Sequence, residues 1–363
     1  MRCYPQLLIK SENYSEEGGY RMLTNVKIVD KDVNSVINYT QAIDLLQQGQ
    51  VVAFPTETVY GLGAVATNEK AVAKIFEAKG RPSDNPLIVH VGTTKEINNY
   101  VTNIPEAAKK CMDAFWPGPL TLVLQAKPNT LAANVTAGLS TVGIRMPNHP
   151  VALALLQQLG LPVAAPSANK SGKPSPTKAQ HVADDLNGII PMVIDGGATG
   201  IGLESTVLDM TLTPPVILRP GGVTKEMLEE VIGPVEEPTI SEHKIESTPK
   251  SPGMKYTHYA PQAPVYLIEA EQNVAQAVAD LKMQGHVVAL LAFDDFVNTT
   301  ADHFYPLGER DQLETIGANL YDALRSCDKT TATIILVTIT ETTGVGSAIM
   351  NRLQKAAGEK WYK

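Results

Sequence analysis

Cysteine is scarce in this 363-residue chain: Cys3, Cys111 and Cys327 are odd in number, far apart and in no CxxC arrangement. That excludes a disulfide framework and a cysteine zinc site, and it suits a reducing cytoplasm. Cys111, in an Ala/Phe/Trp neighbourhood, reads as a small core residue rather than a nucleophile. No apolar run reaches the roughly 20 residues that span a bilayer, so no membrane partner is expected. Residues 1–21 lack the apolar core of a signal peptide and read as a loose polar leader, with Met22 as an alternative start. There is no positive excess either. A net charge of −8 argues against a surface that grips nucleic acid throughout, and leaves room only for a locally basic cleft and weak RNA binding. Neither a P-loop nor an HExxH pattern occurs. Gly61-Leu62-Gly63-Ala64-Val65-Ala66 fits G-x-G-x-x-A, yet it stands too far beyond its strand and lacks the acidic residue of a dinucleotide site.

What is present is a soluble composition, 44% hydrophobic and 19% charged, in a chain long enough for two cores. The richest stretch runs from Val51 to Val91. Val51 to Phe54 form a short apolar strand that Pro55 ends. Thr56, Glu57, Thr58 and Tyr60 crowd hydroxyls and a carboxylate into one turn, and Gly61 and Gly63 let the backbone bend behind them. A helix capped by Asn68 follows and stops at Gly80. Lys79-Gly80-Arg81-Pro82-Ser83-Asp84-Asn85-Pro86 then leads into a second strand, Leu87 to Val89, and His90. Polar groups thus sit where a parallel sheet presents its loops. A solvated loop edge is the plain alternative. The compression of two cations, an Asn and a His opposite a Thr-rich turn also suits a polyanion beside a small polar substrate.

Further along, a strand-like opening at 27–32 precedes a helix to about Gln48 that includes Val36 and Ile37. Helices are expected at 94–100, 104–115, 152–159 and 181–186, and strands at 120–125, 141–147, 163–165, 192–195 and 216–218. Ser167 and Asn169 either cap a turn or form a small-residue surface for a nucleotide, with 170–174 as a mobile lid. Arg145 and Arg219 at strand ends favour anion binding. Residues 235–264 have linker composition, although Ser251 to Pro261 carry too many sticky side chains for a passive tether. Strands and helices alternate again from Val265, including the amphipathic run Leu313, Ile316, Leu320, Leu324. Nothing in this second domain suggests a catalytic cluster.

Taken together, Pro55-Thr56-Glu57-Thr58-Val59-Tyr60-Gly61-Leu62, Lys79-Gly80-Arg81-Pro82, Asn85-Pro86-Leu87 to His90, Pro166-Ser167-Ala168-Asn169, Glu204-Ser205-Thr206 and Arg219-Pro220-Gly221 closely resemble the threonylcarbamoyl-AMP synthases with a YrdC-like catalytic domain. Ser251-Pro252-Gly253-Met254 and His258-Tyr259-Ala260-Pro261 resemble the two-domain branch of that family. The resemblance implies an α/β fold: a twisted mixed YrdC-like sheet with helices and a central cleft, plus a smaller Rossmann-like domain. Its divisions would be an N-terminal extension (1–30, flexible), a catalytic domain (31–234), a linker that gates the site (235–264) and a C-terminal domain (265–363). It implies synthesis of threonylcarbamoyl-AMP from L-threonine, bicarbonate or CO2, and ATP, with release of pyrophosphate. The product would pass to a separate complex that modifies tRNA adenosine beside the anticodon. By the family pattern, Thr58, His90, Arg145 and Ser205 would hold threonine. Lys79, Arg81, Asn85, Thr141, Ala165, Ser167, Arg219 and Tyr259 would hold ATP, with Mg2+ carried mostly by phosphates and its protein ligands unknown. A related carbamoyl-adenylate activity in hydrogenase-maturation carbamoyltransferases is the rival enzyme reading, but their zinc-finger cysteines are missing here. A non-enzymatic RNA-binding module is the other rival.

Overall fold

The computed structural model describes residues 24–28, 39–237, 259–270 and 272–363. Expectations about Cys3, Met22, the helical start at Val36 and Ile37, and Ser251 to His258 fall outside the described residues.

The larger domain is one mixed sheet of ten strands in the order β1-β8-β2-β3-β7-β4-β6-β5-β9-β10. They are β1 (Asn25–Ile28), β2 (Val52–Phe54), β3 (Gly61–Val65), β4 (Val89–His90), β5 (Leu120–Gln125), β6 (Thr141–Arg145), β7 (Val163–Ala164), β8 (Met192–Asp195), β9 (Thr206–Asp209) and β10 (Val216–Arg219). Both faces are covered, so β2 is apolar at every position. Val51 and Ala53 join the core beneath α2 (Glu69–Lys79), α3 (Glu106–Phe115), α6 (Ala179–Leu186) and α7 (Lys225–Ile232). Val52 and Phe54 join the opposite core beneath α1 (Thr40–Gln47) and α5 (Pro150–Leu159). Helix α2 begins as expected, with the Asn68 side chain accepting the Ala71 N–H at 3.1 Å. Cys111 is fully buried on α3, and burial pushes its thiol up to about 11, as befits a core residue.

Three local expectations change. Gly61 to Val65 are a strand, antiparallel to β2, not the bend behind the Thr-rich turn. A Cβ on Gly63 would lie 2.6 Å from the Phe54 ring and 2.7 Å from Val163, so glycine is there to let strands and side chains close up. The strand order is therefore mixed around the Thr turn rather than parallel. The strand-like opening expected from Lys27 begins earlier, at Asn25, inside the division expected to be flexible: residues 25–28 pair in parallel with β8, and the Thr24 hydroxyl anchors their start on the Ile190 carbonyl at 2.5 Å. Thr94–Asn99 forms a 3-10 helix, and two helices were not anticipated: α4 (Ala133–Thr136) and α7, which Thr224 caps by accepting the Met227 N–H at 3.3 Å.

The smaller domain is a four-stranded, fully parallel sheet ordered β11-β14-β12-β13: β11 (Val265–Ile268), β12 (Val288–Ala292), β13 (His303–Pro306) and β14 (Ile334–Thr338). Along β14, Ile334 and Leu336 face the core under α8 (Val274–Met283), while Ile335 and Val337 face the one under α9 (Leu313–Cys327) and α10 (Val345–Ala357). Val59 and Leu203 of the larger domain belong to this second core. Helices α9 and α10 therefore form a layer shared by both domains. No helix among the described residues is long and apolar enough to cross a membrane.

Candidate active site

Strand register alone gathers the polar groups. Parallel pairing of β4 with β6 sets His90 beside Arg145, and antiparallel pairing of β6 with β5 brings the Arg145 end to the start of β5. Leu120 of β5 is opposite Thr206, the residue after Ser205, and Arg219 is opposite Val207. His90, Arg145, Ser205 and Arg219 thus meet at one place, although the first and last are 129 positions apart in the chain. They line a cleft of about 650 Å3, open mouth included, together with Thr58, Arg81, Ala165, Ser167 and Tyr259.

One end is built on Arg145, 3% exposed. Its Nη1 donates to the Thr58 hydroxyl at 2.9 Å and its Nε to the Gly118 carbonyl at 3.2 Å, while its Nη2 pairs with the Glu57 carboxylate. Thr56 and Thr58 hydroxyls are 2.8 Å apart. His90 completes this end. Burial, and then the nearby Arg145 charge, hold its imidazole down to about 3, so it is neutral at any working pH. Its Nδ1 is buried without a hydrogen-bond partner. Tyr60 does not contribute: its hydroxyl turns away to the Gly197 carbonyl at 2.7 Å.

The other end is formed by Arg81, Ala165, Ser167, Arg219 and Tyr259. Arg219 donates from Nε and Nη2 to the Ser205 carbonyl at 3.1 and 2.9 Å, and from Nη2 to the Ser205 hydroxyl at 3.1 Å. The Thr121 hydroxyl is 2.8 Å from the same oxygen. Tyr259 sits at φ +68°, a left-handed conformation that costs roughly 1 kcal/mol or more in a non-glycine residue. It brings the ring onto Tyr321, with centroids 5.2 Å apart.

Three expected residues lie outside the lining. Lys79 is buried, and its ammonium points beneath the Ser167–Asn169 turn, donating to the Ser167 carbonyl, to the Asn169 carbonyl at 2.6 Å and to the Asn169 side chain at 3.2 Å. Burial and the adjacent Arg81 charge lower its pKa well below the usual lysine value. Lys79 shapes the floor of the loop rather than reaching into the cleft. Asn85 is 1% exposed, with its Oδ1 lacking a hydrogen-bond partner. Thr141 is at the opposite end of β6 from Arg145, about 13 Å away at the usual rise per strand residue. The expected lid at 170–174 is pinned: Ser171 N–H donates to the Lys79 carbonyl at 2.9 Å, and Asn169 donates to the carbonyls of Lys170 and Lys173 at 2.8 and 2.9 Å.

Sequence reasoning passed over Thr121, Ser175 and every residue of the second domain, and quoted Glu204 only within the motif Glu204-Ser205-Thr206 without assigning it a role. Among the described residues Glu204 is the one carboxylate of the lining, and it is fully engaged: Ser175 donates to it at 2.5 Å, Tyr321 at 2.9 Å and Arg352 at 3.0 Å. Among the described residues no cluster of three His, Cys, Asp or Glu could hold a metal ion.

Two family profiles match in order: the Sua5/YciO/YrdC family, described as telomere recombination, over residues 44–221, and the threonylcarbamoyl-AMP synthase C-terminal domain over residues 223–358. The threonylcarbamoyl-AMP synthase of Bacillus subtilis is 52% identical over 92% of this chain and 96% of its own. That of Pyrococcus abyssi is 47% identical over 89% of this chain and 94% of its own. The crystal structure of P. abyssi Sua5 complexed with L-threonine superposes with a TM-score of 0.88 at 45% identity, over 94% of this chain and 99% of that one. With nearly the whole length of the relatives matched across both domains, the chain belongs to the threonylcarbamoyl-AMP synthase family.

Proposed function

We propose that the cleft seats L-threonine at its Thr58–Arg145 end and ATP at its Arg81–Ser167–Arg219 end. In this way the chain, a threonylcarbamoyl-AMP synthase, makes threonylcarbamoyl-AMP for threonylcarbamoyladenosine modification of tRNA. The observation that carries this assignment is the presence of two chemically different ends in one cleft. An arginine ringed by hydroxyls suits an amino-acid carboxylate and hydroxyl. Two further arginines beside small residues suit phosphates and a nucleoside approached by backbone.

Threonine then binds through its carboxylate to Arg145 and through its remaining polar groups to Thr58, His90 and Ser205. Its amine must be neutral to attack: on CO2 the new N–C bond opens a C=O π bond and an N–H proton leaves to solvent, and on bicarbonate the hydroxyl leaves with that proton as water, so that either route gives the carbamate. Three arginines around the cleft and a neutral His90 favour the uncharged amine, since nearby positive charge disfavours an ammonium. A carbamate oxygen next attacks the α-phosphorus, and the bond from that phosphorus to the bridging oxygen breaks, so the electron pair leaves with pyrophosphate. Arg81 and Arg219 stabilise the charge that gathers on the phosphate oxygens. Catalysis is by positioning and electrostatics, with no covalent enzyme intermediate. Mg2+ would be carried mostly by the phosphates of ATP, where it would neutralise phosphate charge.

Tyr259, in the lining at the Arg81–Ser167–Arg219 end, contacts the nucleotide. The enzyme works in the cytoplasm, and its product goes to a separate tRNA-modifying complex. Mass spectrometry of the mixture formed from ATP, threonine and isotopically labelled bicarbonate tests the assignment. A labelled threonylcarbamoyl-AMP with stoichiometric pyrophosphate is expected, and ATP turnover independent of threonine would refute it.

A further inference from the structure

None of the side chains lining the cleft comes from residues 265–363, yet that domain reaches the site from behind. Arg352 on α10 is 0% exposed, and one guanidinium serves two segments of the larger domain. Its Nε donates to the Glu204 carboxylate at 3.0 Å and its Nη2 to the Glu204 carbonyl at 3.4 Å, while its Nη1 donates to the Pro220 carbonyl at 2.6 Å. Tyr321 on α9 donates to the same carboxylate at 2.9 Å. Glu204 directly precedes Ser205, and Pro220 directly follows Arg219. Those two cleft residues are themselves joined by three hydrogen bonds.

The contact is close because the seam is close. Gly202 has φ +74°, and a Cβ there would lie 2.5 Å from Ala318 Cα on α9. Leu203 is packed in the second domain's core.

We propose that Arg352 is a positioning residue that acts through Glu204 and Pro220, fixing the spacing of Ser205 from Arg219 and thereby tying docking of the second domain to joint binding of threonine and nucleotide. The proposal rests on the reading that Ser205 faces threonine and Arg219 faces ATP. Mere adhesion would not need this arrangement. A buried ion pair is a weak stabiliser compared with apolar packing of the same volume, and the seam already has apolar packing. What the pair adds is geometry, because its donors fall on the two residues that adjoin the cleft pair.

The charged and titratable groups around Glu204 are Arg352 and Lys355 of α10, Arg219 of β10, Lys79 of α2, Tyr321 of α9, and Tyr259. Burial opposes ionisation of Glu204, but Arg352 first and Arg219 second hold it down at about 2. Without Arg352 the carboxylate loses its main counter-charge, and Arg219 becomes the chief cation to draw away from Ser205.

The test is steady-state pyrophosphate release by the full chain between pH 5 and 9, with threonine and ATP KM measured separately. Arg352→Met is expected to raise both KM values at least tenfold and to add an acid limb to the pH profile. The double variant Arg352→Met/Glu204→Gln is expected to lose that limb. Tyr321→Phe, which keeps the ring packing, is expected to raise the KM values about three- to tenfold. Asp322→Asn removes a partner of Lys178 and His181 at the same seam but away from Glu204, and is expected to change neither KM more than twofold. If Arg352→Met does not fold, Arg352→Lys and Tyr321→Phe decide the matter. Unchanged KM values and an unchanged pH profile in the folded variants, with only a lower Tm, overturn the proposal. Ser205→Ala, run alongside, separates the two layers. If it leaves threonine KM unchanged, the reading of the site fails and this proposal with it. If it raises threonine KM while the Arg352 and Tyr321 variants do not, the positioning role alone is overturned.

Discussion

Replacing Arg145 by lysine keeps the charge and removes the fork. The guanidinium meets three partners in three directions: Thr58, Gly118 and Glu57. A lysine ammonium is a point charge on a flexible stem and cannot serve all three and a substrate carboxylate together. A hydrogen bond to a charged group is worth about 1.5–3 kcal/mol net. Losing the planar grip on the threonine carboxylate should therefore weaken threonine about 10- to 150-fold, at 1.4 kcal/mol per decade. The assay is threonine KM from pyrophosphate release at saturating ATP and bicarbonate, with ATP KM as the internal control. ATP KM should stay within about twofold, because no ATP-side residue bonds to Arg145. The Gly118 carbonyl loses its side-chain donor, so some fall in Tm accompanies the change, consistent with about 1–3 kcal/mol for an unmade buried bond. A variant that keeps its fold and a threonine KM within threefold of the parent would show that Arg145 does not grip the amino acid.

Arg81→Ala should lower kcat more than 100-fold, since it removes phosphate charge stabilisation of the kind worth about 10²–10³ per donor, and leave threonine binding by calorimetry intact. Near-normal turnover would exclude the phosphate role. Thr58→Ala and Ser205→Ala should raise threonine KM more than ATP KM; equal rises would place these hydroxyls elsewhere. The pH dependence follows from His90, whose folded pKa of about 3 lies below the ordinary histidine value. The unfolded chain takes up this proton below about pH 6.5 while the folded chain refuses it until about pH 3. Stability is therefore complete above pH 6.5 and lost as pH falls, by up to about 1.4 kcal/mol per unit. Urea midpoints at pH 7 and pH 5 measure this slope, and a His90→Gln variant should flatten it. An equal slope in that variant would assign the effect to other groups.

Much of this architecture is readable in the chain before any coordinates. β2, β5 and β6 announce themselves as short β-branched runs, and Asn68 marks the start of α2. β3 hid because two glycines two residues apart look the same whether they make a turn or let neighbouring side chains press in. The orientation of Lys79 was equally hidden, since a cation at a helix end can face a ligand or a carbonyl. Thr121 and Ser175 are ordinary strand and loop residues whose partners lie 84 and 29 positions away. Arg352 did carry a signal. On α10 it shares a stripe with Ala348, Ile349, Leu353 and Ala356, all buried. A cation on the apolar stripe of a helix demands an acidic partner, and Arg325 on α9 repeats the pattern by pairing with Asp185 at 2.8 Å. Neither helix says which carboxylate it will meet, because that depends on how the two sheets come together.

The layer of α9 and α10, shared by the two sheets, has a thermodynamic corollary. Separating the halves would bare Val59 and Leu203 and strand Glu204 and Asp185 without their arginines, so neither half has an inexpensive way to melt while the other stays intact. Heat or urea should therefore dismantle this enzyme in one cooperative transition. A substitution on the far helices would then surface as lost catalysis well before it could be seen as a separate unfolding event.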